Sequence, residues 1–194
     1  MNTKRLSLII IFIALTIALN LAGPKIPAPY APFLYYQLWE IPIVLGFLAL
    51  GPNSVVTISV INTFILLVVF PGALPIGPIY NLIAVLPMLL GIYIPYRIAT
   101  HGCKGENLGS FLQKHSKLIT ISSTILGITL RVLVTTITNY FLLQLPYPFG
   151  FSYNPTAALL FLPLSGLFNA TVALYTIPIG LGIAIVIASR FKLQ

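Results

Sequence analysis

Charge is the scarcest property of this chain, and its placement constrains the fold more than any other feature. The 194 residues include ten Lys or Arg and two Asp or Glu. Most of the bases fall into three groups: Lys4 and Arg5; Arg97, Lys104, Lys114 and Lys117; Arg190 and Lys192. Between the groups run long apolar stretches. A soluble domain needs about 25% charged residues to keep its surface hydrated, whereas this chain has 6% charged and 58% hydrophobic residues. Its expected solvent is lipid.

Spanning a hydrocarbon core of about 30 Å takes about 20 apolar residues in a helix. Six segments are expected to do so: Leu6 to Ala22, Leu38 to Leu50, Val55 to Phe70, Ile76 to Tyr96, Leu118 to Leu143, and Ala157 to Ser189. The second is short, and reads either as a short span within a bundle or as a re-entrant segment. The last is too long for one straight span, so Pro163 is expected to separate a short outer helix from the main one. With six crossings all three basic groups share one side, which the positive-inside rule makes the cytoplasm. The expected fold is an all-α membrane protein in the cell membrane, one domain over residues 1–194. It is a bundle of six transmembrane helices with N- and C-termini cytoplasmic. The net charge of +8 then reports topology and contact with anionic lipid headgroups, not nucleic-acid binding.

The N-terminus resembles a secretory signal in having Lys4 and Arg5 before an apolar run. Cleavage after Ala22 would put Asn20 where a small residue is wanted, so the segment reads as a retained helix. The single Cys103 excludes an internal disulfide framework. With His101, Glu106 and His115 it shares the expected cytoplasmic loop, but the spacing fits no zinc pattern. No metal or cofactor is expected.

The outer connections are unusual. Gly23 to Tyr36, Pro71 to Pro78 and Leu145 to Pro155 are apolar, aromatic and rich in proline. Ordinary external loops are polar. These segments either form an interfacial belt, where Tyr is at home, or fold over the bundle as a lid lined with aromatic rings. In the second case Tyr36, Tyr147 and Phe149 are candidate contacts for a flat, partly apolar ligand.

Polar groups at membrane depth need a partner or a function. Gly127, Arg131, Thr135, Thr138 and Asn139 recur at helical spacing and share one face. Ser165, Asn169 and Thr176 form a similar stripe, as do Ser59, Asn62 and Thr63; Tyr80 and Asn81 begin the fourth segment. Asn139, Asn169 and Glu40 gather in the outer half, which points to a pocket open to the outside. The Ser and Thr residues read as interhelical hydrogen bonds. Arg131 is the costliest residue, at roughly 2.5–3.5 kcal/mol for a central position. Either Glu40 neutralises it, or it faces the pocket or a cage of carbonyls. Ala14, Ala18 and Ala22 repeat every four residues, a flat stripe suited to close helix approach within the chain or with a partner.

Four stretches together resemble the substrate-binding S-components of energy-coupling factor (ECF) vitamin transporters, most of all the riboflavin-specific type. Ala14-Leu15-Thr16-Ile17-Ala18 is similar to that family's docking motif. Leu38-Trp39-Glu40-Ile41-Pro42 before Gly51-Pro52 resembles the acidic-Ile-Pro and Gly-Pro signature around its second helix. Gly77-Pro78-Ile79 matches the entry to its fourth helix. Arg131, Asn139-Tyr140-Phe141, Leu145-Pro146, Leu162-Pro163 and Phe168-Asn169 match its fifth and sixth. The resemblance covers most of the chain outside the cytoplasmic loop. It implies that Asn139 and Asn169 hydrogen-bond a flavin ringed by side chains of the first and fifth loops. It implies too that Ala14 and Ala18 dock a transmembrane coupling subunit driven by a pair of ATP-binding cassette ATPases. The chain departs from the family at Val172, where a Lys is common, while Asn62 stands where a Lys or Asn occurs. A related flavin precursor or a different vitamin is the alternative substrate.

No Gly-x-x-x-x-Gly-Lys-Ser/Thr loop occurs, so phosphate binding of the P-loop kind is not expected in this chain. An intramembrane enzyme acting on a lipid-soluble substrate is the rival class. Such enzymes cluster acids, histidines or nucleophiles at membrane depth, and here Glu40 is the one acid so placed. A purely structural subunit is the third reading.

Overall fold

The computed structural model describes residues 3–69, 74–101 and 108–190. Cys103, Lys104, Glu106 and Lys192 lie outside the described residues, as do Pro71, Gly72 and Ala73 of the second outer connection. The elements are α1 (Thr3–Ala22), β1 (Ile26–Ala28), β2 (Ala31–Tyr36), α2 (Glu40–Leu50), α3 (Pro52–Val69), α4 (Gly77–His101), α5 (Leu108–Lys114), α6 (Ser116–Leu142) and α7 (Pro155–Arg190). Five helices, α1, α3, α4, α6 and α7, are long and apolar enough to cross a membrane.

Helix α6 is apolar outside and largely polar within. On α6, Ile121, Ile125, Leu133, Ile137 and Phe141 are each more than half exposed. Ser123, Gly127, Arg131 and Thr135 on its other face are buried. A water-soluble helix has the reverse pattern, and this one is compatible with lipid as solvent. Most buried hydroxyls bond the carbonyl four residues back in their own helix, not another helix as expected, as Ser59 does to Val55 at 2.8 Å and Thr63 to Ser59 at 2.9 Å. That explains their tolerance in an apolar interior.

The short α2 organises the rest. Its 11 residues extend only about 16 Å at 1.5 Å per residue. It is enclosed by α1, α3 and α7, with Ile43 and Val44 fully buried. Gly51 closes it at φ +81°, a left-handed conformation that costs glycine least. Pro52 then opens α3, a first-turn position where its missing N–H is harmless. The Arg5 guanidinium donates to the Leu50 carbonyl at 2.9 Å and to Ser54 Oγ at 3.0 Å. The start of α1 and the end of α2 therefore lie at the same end of the bundle. The opposite end lacks a full-length helix above Glu40, and the chain fills that gap with the first connection.

That connection is an antiparallel β-hairpin, an element the all-α expectation did not include. Ile26 faces Tyr36, Pro27 faces Tyr35, and Ala28 faces Ala31, with an irregularity after Pro27. Two-stranded ribbons consist of edge strands only, so prolines at positions 27 and 32 are tolerated. The end of α6 is also folded back: Phe151 and Tyr153 both donate backbone N–H to the Leu143 carbonyl, at 3.2 and 3.0 Å. Asn154 Oδ1 then accepts the Ala157 N–H at 2.8 Å, an N-cap just before Pro155.

The expected break at Pro163 is absent. α7 is continuous over 36 residues with Pro163 and Pro178 inside it. Removing one backbone hydrogen bond costs less than leaving a whole turn of polar backbone unsatisfied in an apolar surrounding. Helices α4 and α6 approach closely at Gly91. A Cβ added there would lie 2.5 Å from Gly127 Cα, so this crossing needs glycine at 91.

Candidate functional site

A cavity of about 340 Å³ occupies the space above α2. The hairpin supplies Phe33, Leu34 and Tyr35 and is followed by Gln37, Trp39 and Glu40; α4 supplies Tyr80, Asn81 and Ala84. α6 contributes Arg131, Thr135 and Asn139, and Phe151 comes from the α6–α7 loop. α7 completes the wall with Phe161, Ser165, Phe168, Asn169, Val172 and Tyr175.

At the base lies an ion pair. Arg131 donates Nη2 to Glu40 Oε1 at 2.9 Å and Nη1 to Glu40 Oε2, so the contact is two-pronged. Both residues are buried. Glu40 sits in the first turn of α2, where the helix dipole favours an anion. Arg131 Nε donates to Asn169 Oδ1 at 3.0 Å, and Nη1 also meets Met88 Sδ at 3.3 Å. The guanidinium bonds protein groups through Nε, Nη1 and Nη2; the carboxylate partner considered in the sequence is realised, and Arg131 lines the cavity as well.

The amides above it are held in turn. Asn169 Nδ2 donates to the Ser165 carbonyl at 3.0 Å, so both ends of that amide are engaged. Asn139 Nδ2 donates to Ser165 Oγ at 2.6 Å, leaving its amide oxygen without a partner among the described residues. Asn139 is the better placed of the two to meet a ligand directly, and Asn169 to transmit the position of Arg131.

The roof is aromatic. Phe33 stacks on Phe161 with centroids 6.0 Å apart, and Tyr36 on Phe168 at 5.2 Å. The Tyr175 hydroxyl donates to the Gln37 carbonyl at 2.6 Å, tying the chain after the hairpin to α7. Tyr30 and Tyr36 share a hydroxyl–hydroxyl hydrogen bond of 2.5 Å. Partial desolvation, with that bond, raises the Tyr30 phenol above its ordinary range.

Of the residues singled out in the sequence, the cavity brings together Glu40, Tyr80, Asn81, Arg131, Asn139 and Asn169. Four others do not line it. Tyr36 stacks on Phe168, itself a lining residue, and braces the wall, while its neighbour Tyr35 lines the cavity. Asn62 is buried on α3 with Oδ1 unpartnered among the described residues. Tyr147 and Phe149 are exposed at 69% and 52%, since the loop folds back through its backbone and leaves Phe151 as its lining residue. Phe149 nevertheless meets the site through its carbonyl, which accepts the Tyr80 hydroxyl. Sequence reasoning missed Gln37, Phe151, Phe161, Ser165 as a cavity residue, and Tyr175. For α7 a signal existed: 161, 165, 168, 172 and 175 recur at three- and four-residue spacing. Thr176, placed on that stripe, is fully buried instead and off the cavity.

Ala14, Ala18 and Ala22 are exposed along α1, whose buried residues are Ile9, Thr16 and Asn20. Comparison with known proteins gives no identification: no family model matches the chain, and no curated protein matches it.

Proposed function

We propose that this chain is the substrate-capture subunit of an energy-coupling factor transporter, taking up riboflavin or a related flavin across the cell membrane. Support comes above all from one observation: a cavity between hairpin, α4, α6 and α7 that combines stacked aromatic walls with converging amides. Aromatic faces suit a flat ring, and an amide oxygen beside a hydroxyl suits a donor–acceptor edge. The charges of Glu40 and Arg131 cancel locally, which favours an uncharged ligand over a carboxylate or phosphate. Val172 lines the wall where the resembling family commonly has Lys, an observation that keeps a flavin precursor or another uncharged vitamin as the second reading.

In this reading six helices cross the membrane, α2 being the short one, with both termini in the cytoplasm. Lys4, Arg5, Arg97, Lys114 and Lys117 then share the inner side, and the cavity opens outward. Ligand enters beneath the hairpin and is held without chemical change. The exposed Ala14 and Ala18 face seats a transmembrane coupling subunit, whose paired ATP-binding cassette ATPases supply the energy.

Titration of the purified protein with riboflavin, read by quenching of flavin fluorescence, tests the proposal. Saturable one-to-one binding that weakens about tenfold in Asn139→Ala is expected, one lost hydrogen bond in a desolvated site being worth about 1.4 kcal/mol or somewhat less. Binding indifferent to Asn139 would remove the cavity from the account.

A further inference from the structure

Beside the main cavity lies a second chamber, also of about 340 Å³, reaching between α1, α3 and α4. Phe33, Gln37, Tyr80, Asn81 and Phe151 line both spaces, so the two share a wall under one roof. The far end of the second chamber holds Asn20 and Leu66, both buried. Asn20 is 6% exposed, and its Nδ2 has no hydrogen-bond partner among the described residues. Its neighbour one turn earlier, Thr16, satisfies itself on the Phe12 carbonyl at 2.7 Å. Nothing in α1 requires an amide at position 20, and an unmade buried donor is costly.

We infer that the second chamber is a subsite for the hydroxyl- or carbonyl-bearing tail of an elongated, uncharged ligand whose flat head occupies the main cavity, with Asn20 Nδ2 donating to a tail oxygen. Size and chemistry agree. A chamber of 340 Å³ is at the lower end of the roughly 300–1,000 Å³ that small-molecule sites span. A ligand larger than a bare fused ring system therefore extends into the neighbouring space. Among the described residues that space carries amides and a phenol on an apolar frame and no Lys, Arg, Asp or Glu. It accordingly receives neutral oxygen functions and excludes a phosphorylated or carboxylated tail, which would find no counter-charge there. The inference rests on the flavin-capture reading, in which the tail is a polyhydroxyl chain.

The test compares riboflavin with lumichrome, the same kind of ring without the polyhydroxyl tail, on the full chain in detergent or nanodiscs. Asn20→Ala is expected to weaken riboflavin about tenfold while leaving lumichrome unchanged, whereas Asn139→Ala weakens both. Leu66→Phe, which narrows the chamber from α3, should discriminate in the same direction. Asn20→Leu serves as a folding control, because removing an unsatisfied amide should raise the melting temperature of the ligand-free protein. Equal effects of Asn20→Ala on the two compounds, or none on either, would overturn the subsite and leave the capture reading intact. Failure of both compounds to bind the unaltered protein would overturn the two together.

Discussion

Breaking the Glu40–Arg131 pair from one side should cost far more than removing both partners. The two side chains are 4% and 5% exposed, so either survivor is left as an uncompensated charge in a low-dielectric site. Such truncations cost about 3–5 kcal/mol. In Glu40→Leu the guanidinium keeps its Nε bond to Asn169 and its contact with Met88, which puts the loss near the lower end, about 3 kcal/mol. At roughly 2–4 °C per kcal/mol for a chain of this size, the melting temperature should fall by about 6–12 °C. Arg131→Met strands the carboxylate and should fall at least as far. The double variant Glu40→Leu with Arg131→Met restores a neutral interior and should melt well above either single variant. The chain's one tryptophan, Trp39, is buried beside Glu40 and reports unfolding by its emission. Single variants that melt within 2 °C of the unaltered protein, or a double whose loss equals the sum of the singles, would refute the claim that this pair holds the base of the cavity.

Two further outcomes follow from the geometry. Gly91→Ala puts a methyl against the Gly127 backbone at 2.5 Å and should lower stability by about 1–3 kcal/mol, seen as an earlier thermal transition with riboflavin affinity little changed at the matched temperature. Ala14→Trp with Ala18→Trp crowds an exposed face of α1 and should leave ligand binding intact while abolishing uptake in cells that carry the coupling module; uptake that persists would move the docking surface elsewhere.

The apolar helices were legible in the sequence because lipid-like runs are long and turn signals such as Gly51-Pro52 interrupt them, whereas the short α5 lies in what read as a loop. Glu40 and Arg131 were legible for a different reason: with so few charges away from the basic groups, an acid and a base at depth have little choice of partner. The hairpin was hidden. Its prolines at 27, 29 and 32 disguise a ribbon only a few residues long, and without that ribbon Tyr35 could not be told from Tyr36. Continuity of α7 was hidden too, because Pro163 reads as a break in water and as one missing bond in an apolar surrounding. Phe151 emerged over Tyr147 and Phe149 only because backbone bonds to Leu143 turn the loop back on α6.

The account depends on what the roofed cavity holds. Protein purified without added ligand, then denatured and extracted, should release an uncharged compound with flavin-like absorbance and a matching mass, near one per chain. Asn139→Ala should release much less. Release of a charged metabolite, or an empty protein that also fails to take up riboflavin when it is supplied, would contradict the capture of a neutral flavin above α2.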